Sequence, residues 1–411
     1  MERIRTLHIT PSVRLLGARR SLLTLVKHLA GTRVEPLVLV PSRGGLTEEL
    51  DRLRLRYEVL KLPPWRKGAS WFSMPGQITA LRQLLEREKI DLVHCNEIYP
   101  NPHAIVAAGQ GSVRRELLVR ALHQRALRPM RIPVVTHMRL SVTPRMVRNY
   151  WLPESTRLIA VSHGAAADFD PFPWKSERVR VVHNGIDLEA FEQSRQHRTA
   201  IREELGFAEH DFIIGQFGLM MPRKRPRFLI EAAPAILEQI PDARFLFIGD
   251  SSPGHESYLE QLQILAEDLA VQHAVRFVPF QKDIARFFGA LDLNMLVSDD
   301  EGFGRVVVEA GAAGVPTIGS RVGGIPELIR DGETGYLIGG PGMNDDEFRA
   351  ERPRLIELVA LLAGNSEFYM QMSRAAHAYA TQNFSAEEYV RNVVRVFDEA
   401  IQEFRDREDF W

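Results

Sequence analysis

Two glutamates, Glu301 and Glu309, stand eight residues apart around a short glycine turn: Ser298-Asp299-Asp300-Glu301-Gly302-Phe303-Gly304-Arg305-Val306-Val307-Val308-Glu309. The apolar run from Leu291 to Val297 precedes them and reads as a buried strand. A strand, a glycine turn and a Val/Ala-rich helix leave unpaired backbone N–H groups at the helix start. There the helix dipole adds its own attraction for an anion such as a phosphate. Glu301, before the turn, can reach the hydroxyls of a ligand, and Glu309 lies about one and a half turns into the helix. A sugar joined to a diphosphate suits that arrangement. A plainer reading stands beside it: Ser298 and Glu301 satisfy the Ser-x-x-Glu capping pattern, and Glu309 is then a solvated helix residue.

Other residues carry weaker signals. Lys224, flanked by Arg223 and Arg225, follows the strand ending at Phe217-Gly218, where a cation neutralises a phosphate leaving group or merely decorates a basic loop. Gly17, between the first strand and the first long helix, permits close approach of a ligand to the backbone or simply starts the helix. His137 follows the strand Pro133–Thr136 at its carboxyl end, where active sites collect in α/β folds; a structural role is the alternative. Asp168-Phe169-Asp170 has the Asp-x-Asp form of metal-dependent sugar transferases, but Pro171 and Pro173 follow it and no strand precedes it, so no metal is expected. The chain has no Cys/His cluster, no phosphate-binding Gly-x-x-x-x-Gly-Lys-Ser/Thr and no Gly-x-Ser-x-Gly. The nearest approach to a dinucleotide fingerprint, at Gly302 to Val307, has valine in its third glycine position and lies far from the first strand–helix turn, which argues against a dehydrogenase.

The elements that must position these residues alternate regularly. Strand-length apolar runs appear at Ile4–Thr10, Val34–Val40, Tyr57–Leu60, Leu92–His94, Pro133–Thr136, Arg157–Val161 and Val179–Val182, with helical patterns such as Arg19–Leu29 and Gln77–Arg87 between them. After the Asn184-Gly185 turn and a polar stretch, Glu192 to Arg198, that reads as a linker and the start of a connecting helix, the scheme repeats. Strands are expected at Phe212–Phe217, Arg244–Ile248, Val275–Val278, Leu291–Val297, Val315–Ile318 and Tyr336–Ile338. Helices are expected at Phe228–Leu237, Glu256–Leu269, Ile284–Phe288 and Val306–Ala313. From Asp345 onward the pattern is helical. Such alternation predicts parallel sheets covered on both faces. The expected architecture is two tandem doubly wound α/β domains, residues 1–188 and 189–382, facing a central cleft. Residues 383–411 form a C-terminal helix packing back toward the first domain. In such sheets ligands bind outside the carboxyl ends of the strands.

A chain of 411 residues, 45% hydrophobic and 26% charged, is that of a folded two-domain protein. Its net charge of −1 excludes nucleic-acid-like character as a whole. The single cysteine, Cys95, excludes an intramolecular disulfide, and Met1 to Arg5 lacks the apolar core of a signal peptide. A cytoplasmic location is expected. Charge is uneven, however: Ser112 to Trp151 holds nine arginines and one glutamate, with Leu117, Leu118, Ala121 and Leu122 interleaved. A basic amphipathic helix there would dock on the anionic inner face of a membrane or hold an acidic substrate, and a solvated surface is the alternative.

Taken together, Gly218…Lys224, Phe245-Leu246-Phe247-Ile248-Gly249-Asp250, Val275-Arg276-Phe277-Val278, Glu301…Glu309, Gly314-Val315-Pro316 and Gly323-Gly324-Ile325-Pro326-Glu327 resemble retaining nucleotide-sugar glycosyltransferases of family 4, with their Glu-x7-Glu motif and two-domain GT-B fold. Asn184-Gly185-Ile186-Asp187 is similar to the family's junction motif. The resemblance covers roughly residues 180–340 in motifs and residues 1–180 in architecture. It implies that Glu301 and His137 act at the reacting sugar. It implies that backbone from Phe303 through Gly304 and Arg305 to Val306 meets sugar and diphosphate, and that Glu309 takes the ribose. Lys224 and Gly17 would meet the diphosphate, and backbone at Val278 to Phe280 the base. It implies a nucleoside-diphosphate sugar as co-substrate, a glycan or lipid-linked acceptor, a role in cell-surface polysaccharide or glycoconjugate synthesis, and no metal or other cofactor. One position departs from the family: Leu219 stands where an arginine commonly supplies a second diphosphate cation, leaving Arg223 or Arg225 to substitute. That departure keeps two alternatives in view, a non-catalytic nucleotide-sugar-binding scaffold and a GT-B nucleotide-sugar epimerase.

Overall fold

The computed structural model describes residues 3–65, 70–110, 131–252 and 254–408. Arg114, Arg115, Arg120, Arg125 and Arg128 of the basic segment lie outside the described residues. The chain divides into two compact units, Met1–Gly185 with Ala386–Trp411, and Ile186–Ser385.

The first unit is built on β1 (Ile4–Ile9), β2 (Val34–Val40), β3 (Tyr57–Val59), β4 (Leu92–Cys95), β5 (Val134–Met138), β6 (Arg157–Ala160) and β7 (Val179–Val181), all parallel, in the order β3-β2-β1-β4-β5-β6-β7. Its central strands β1, β4 and β5 are buried on both faces, as in a sheet covered on both sides. One face packs Leu7, Ile9 and Val93 against Ile78, Leu81 and Ile105. The other packs Val135 and Ile159 against Leu25 and the C-terminal helix Ala386–Glu408. Tyr389, Val393, Val396, Phe397 and Ala400 recur on that helix at three- and four-residue steps, so one stripe faces the sheet. Arg33 with Asp398, and Arg180 with Glu399, pin its flanks.

The second unit contains β8 (Phe212–Phe217), β9 (Ala243–Ile248), β10 (Val275–Val278), β11 (Leu293–Leu296), β12 (Thr317–Ser320) and β13 (Gly335–Ile338), parallel in the order β10-β9-β8-β11-β12-β13. Ile214, Phe245, Phe247, Met295 and Ile318 form its core with the helices Pro226–Gln239, Arg352–Gly364 and Ser366–Asn383. The polar stretch Glu192 to Arg198 leads into a helix as expected, Arg198–Leu205; before it, Leu188–Glu192 and Gln193–His197 are short helical turns, and Arg195 donates to the carbonyls of Ala313 and Gly314.

Both sheets reverse their strand order at one place, between β1 and β4 in the first unit and between β8 and β11 in the second. At such a point the loops leaving the two central strands run to opposite sides and open a crevice at the carboxyl ends. The sites of chemistry should therefore lie after β1 and β4, and after β8 and β11.

Candidate active site

In the second unit the residues singled out in sequence come from the two strands flanking the reversal. Lys224 ends a short 3-10 turn, Pro222–Lys224, after β8, and Glu301 lies in the loop after β11. Their charged groups form an ion pair, with each side chain about four-fifths buried, at 19% and 18% exposure. Two further bonds tie the same two loops, and a third anchors the Lys224 turn to β8. The Asp299 N–H donates to the Arg223 carbonyl at 2.9 Å, Arg223 Nη1 donates to the Asp300 carbonyl at 2.6 Å, and Gln216 Nε2 on β8 donates to the Lys224 carbonyl at 2.6 Å. Burial pushes the Asp299 carboxyl above its ordinary range.

The two arginines flanking Lys224 go to different places. Arg225 is buried, donates to Asp345 and the Met343 carbonyl, and stacks its guanidinium over Phe348 at 4.3 Å. Arg223 stays beside Asp300, next to Glu301.

The capping-box reading of Ser298 and Glu301 fails. The helix begins at Arg305 and its N-cap is Gly304, at φ 101°, a left-handed conformation that favours glycine. Ser298 is buried with its hydroxyl unpartnered. Glu309 is not a solvated residue either: it is 4% exposed, about one turn into the helix, and takes Arg305 Nη2 at 3.0 Å. Phe303 packs its ring inward near Phe384, so only its backbone faces the turn. Val306 is half-buried in the first helical turn. The Gly323-Gly324 pair backs this loop: the Gly324 N–H donates to the Glu301 carbonyl at 3.0 Å, and any Cβ on Gly323 would overlap that same carbonyl.

In the first unit, Gly17 opens the helix Gly17–Leu29 after β1. His137 lies inside β5 rather than after it, because the strand runs on to Met138. It is fully buried, and burial, with Arg139 nearby, holds it well below the usual imidazole range. Sequence reasoning missed its neighbours. Arg139 donates to Asn96, Asn184 and Tyr389. Arg19 pairs with Glu97 at 3.0 Å across the β1/β4 reversal, with Glu97 raised by burial and only partly compensated by Arg19. Asp168 and Asp170 turn to different partners, the Val142 N–H and Lys175, and share no ligand geometry. Beside the carboxyl ends of β1, β2 and β3 lies a pocket of about 370 Å³, lined by Leu62, Pro64, Trp65, Tyr99, His103 and Tyr150 among others, none of the described lining residues being charged. His103 is 1% exposed with both ring nitrogens unpartnered, and burial lowers it to about 4.

Residues 197–377 match the family model "Glycosyl transferases group 1", and residues 16–190 match "Glycosyltransferase Family 4". The chain belongs to the family 4 glycosyltransferases. Its similar curated relatives include an N-acetyl-alpha-D-glucosaminyl L-malate synthase of Bacillus anthracis, 28% identical over 69% of this chain and 68% of that protein. A D-inositol 3-phosphate glycosyltransferase of Mycobacterium sp. (strain KMS) is 32% identical over 56% of this chain, and the match spans about half of that protein, 49%. Among solved structures, Anabaena HepE in complex with UDP and glucose superimposes with a TM-score of 0.79 at 22% identity, over 96% of this chain and 100% of that one. WaaG, a glycosyltransferase involved in lipopolysaccharide biosynthesis, gives 0.67 at 17%, over 95% and 99%. Both share the fold of this glycosyltransferase, two parallel-sheet Rossmann-like domains. Among the described residues no helix is long and apolar enough to cross a membrane.

The glycosyltransferase's Glu301 loop has one exposed weak point. Gly323→Ala must force both a left-handed φ of 51° and the Glu301 carbonyl to move. Thermal melting should show a loss of about 1–3 kcal/mol; an unchanged melting temperature would mean the loop is not held against Gly323.

Proposed function

We propose that the second unit binds a nucleoside-diphosphate sugar at the β8/β11 reversal and that the enzyme transfers the sugar with retention of anomeric configuration. The observation that carries this is the Lys224–Glu301 pair, delivered from the two strands flanking the reversal and set beside the helix start at Arg305. In this reading Lys224 and Arg223 meet the diphosphate, and the N–H groups from Phe303 to Val306 meet sugar and phosphate oxygens. Glu301 accepts from the sugar hydroxyls, while Glu309, steadied by Arg305, takes the ribose. Backbone at Val278 to Phe280 holds the base. As the bond from the anomeric carbon to the diphosphate oxygen breaks, its electron pair goes to the leaving group and positive charge develops on carbon. An acceptor hydroxyl oxygen then bonds to that carbon on the face the diphosphate left, and its proton passes to the departing diphosphate oxygen. Fixed cations and helix N–H groups stabilise the departing charge, so leaving-group stabilisation and orientation supply most of the acceleration.

The pocket beside β1–β3 supports an acceptor that presents a neutral ring. Trp65 and the two tyrosines offer apolar walls for the C–H faces of a sugar or cyclitol, and His103 supplies a buried polar group with no partner of its own. A small anion would find no opposite charge among the described lining residues.

Calorimetric titration of UDP, GDP, ADP and their glucose conjugates is expected to give one micromolar nucleotide, with the affinity reduced at least tenfold in Lys224→Ala. Equal binding by that variant would remove Lys224 from the donor site. With the donor in hand, neutral aryl glycosides should accept sugar better than malate or inositol phosphate. His103→Phe should raise the KM for the glycoside and leave donor KM alone; the opposite preference would contradict a neutral-ring pocket.

A further inference from the structure

Three histidines lie side by side under the helix Ala386–Glu408, on neighbouring strands of the first unit. His8 on β1 and His94 on β4 are register partners, and His137 on β5 sits two residues beyond Val135, the register partner of His94. Period-two alternation therefore puts all three on one face, against Phe397, whose ring centre lies 6.2 Å from His8 and 5.5 Å from His94. All three are 0% exposed, as is Thr6.

They form a continuous hydrogen-bonded row. Thr6 Oγ1 meets His8 Nε2 at 2.8 Å, His8 Nδ1 meets His94 Nδ1 at 2.9 Å, and His94 Nε2 meets His137 Nδ1 at 3.1 Å. His137 Nε2 ends the row, buried and without a partner. Burial pushes His8 down to about 3 and holds His94 and His137 well below the usual range, so each ring is neutral and carries one N–H. One proton per junction then allows two arrangements. In the first, the Thr6 hydroxyl donates to His8, His8 to His94 and His94 to His137, leaving an N–H on His137 Nε2. In the second every proton is reversed, leaving a bare acceptor on that nitrogen.

Two features select the first. Thr6 has no acceptor for its hydroxyl other than His8 Nε2, so reversing the row strands a buried O–H, which is costly. At the other end Arg139 Nη2, a donor only, stands 3.4 Å from His137 Nδ1 and favours an unprotonated nitrogen there.

We propose that Thr6, His8, His94 and Arg139 are positioning residues that fix His137 in the tautomer protonated on Nε2, so that this nitrogen can act only as a hydrogen-bond donor. The tautomer is set within the first unit and does not depend on the donor-site reading. A donor there cannot take a proton, so His137 orients or stabilises an oxygen and is not a general base. The row also explains why polar rings occupy a face that leucine or phenylalanine would fill at lower cost.

The test is a long-range proton–nitrogen correlation spectrum of the full-length protein labelled with 15N-histidine and free of ligand. Signals are assigned by His8→Phe, His94→Phe and His137→Phe. Wild-type His137 should show a protonated Nε2 and bare Nδ1, and His8 the reverse. Thr6→Val, nearly isosteric, should leave the melting temperature within a degree or two yet shift His137, two rings away, to a tautomer mixture, and Thr6→Ser should restore the wild-type spectrum. A protonated Nδ1 on wild-type His137, or a Thr6→Val spectrum unchanged at His137, would overturn the proposal.

Discussion

Everything proposed for the second unit depends on holding one ammonium against one carboxylate at the place where the sheet reverses its strand order. Lys224 leaves β8 and Glu301 leaves β11, strands more than seventy residues apart in sequence but adjacent in the sheet. Parallel pairing and right-handed crossovers bring the two strand ends together. The loops are then locked by a backbone bond from the Asp299 N–H to the Arg223 carbonyl and by the Arg223 guanidinium donating to the Asp300 carbonyl. A pair buried this far is a weak device for stability, since much of its attraction is spent on losing water. It makes sense as a site: the cation is kept dry and in place, and a phosphate can take over the carboxylate's role as its partner.

The first unit shows the complementary pattern. Unsatisfied buried polar atoms are costly, about 1–3 kcal/mol each, and several gather at the carboxyl ends of β1, β4 and β5. Arg19 Nε, Glu97 Oε2, His137 Nε2 and both nitrogens of His103 lack partners. These atoms lie beside the first unit's strand-order reversal, as a ligand-binding edge requires, although Arg157 Nε, on β6, does not. The C-terminal helix belongs to this logic, because Tyr389 accepts from Arg139 and Phe397 covers the histidine row.

The alternation of strands and helices was legible because buried parallel strands are short apolar runs, and most observed strands fall within a residue or two of the expected ones. Glu301, Glu309 and Lys224 were legible as a motif, while their surroundings were not: Ser298 mimics a helix cap until Gly304, at positive φ, is seen to start the helix instead. Arg225 looked equivalent to Arg223 until Asp345 and Phe348, 120 or more residues away, were found to hold it. His8 and His94 went unnoticed because a lone polar residue in an apolar strand carries no pattern, and Arg19 and Glu97 because one stands on a helix and the other in a distant loop. Only the order β1-β4-β5 sets the histidines in one row, and sequence order does not contain it. Thr6 and His8, two apart on one strand face, were the one available clue.

The central claim, that Lys224 is the diphosphate contact held in waiting by Glu301, is tested most directly by titrating UDP into the wild-type protein and into Glu301→Gln. Releasing Lys224 from its carboxylate should tighten UDP several-fold, even as the variant loses sugar transfer. Weaker or unchanged UDP binding in Glu301→Gln would contradict the account, because the ammonium would then be answering to something other than the phosphate.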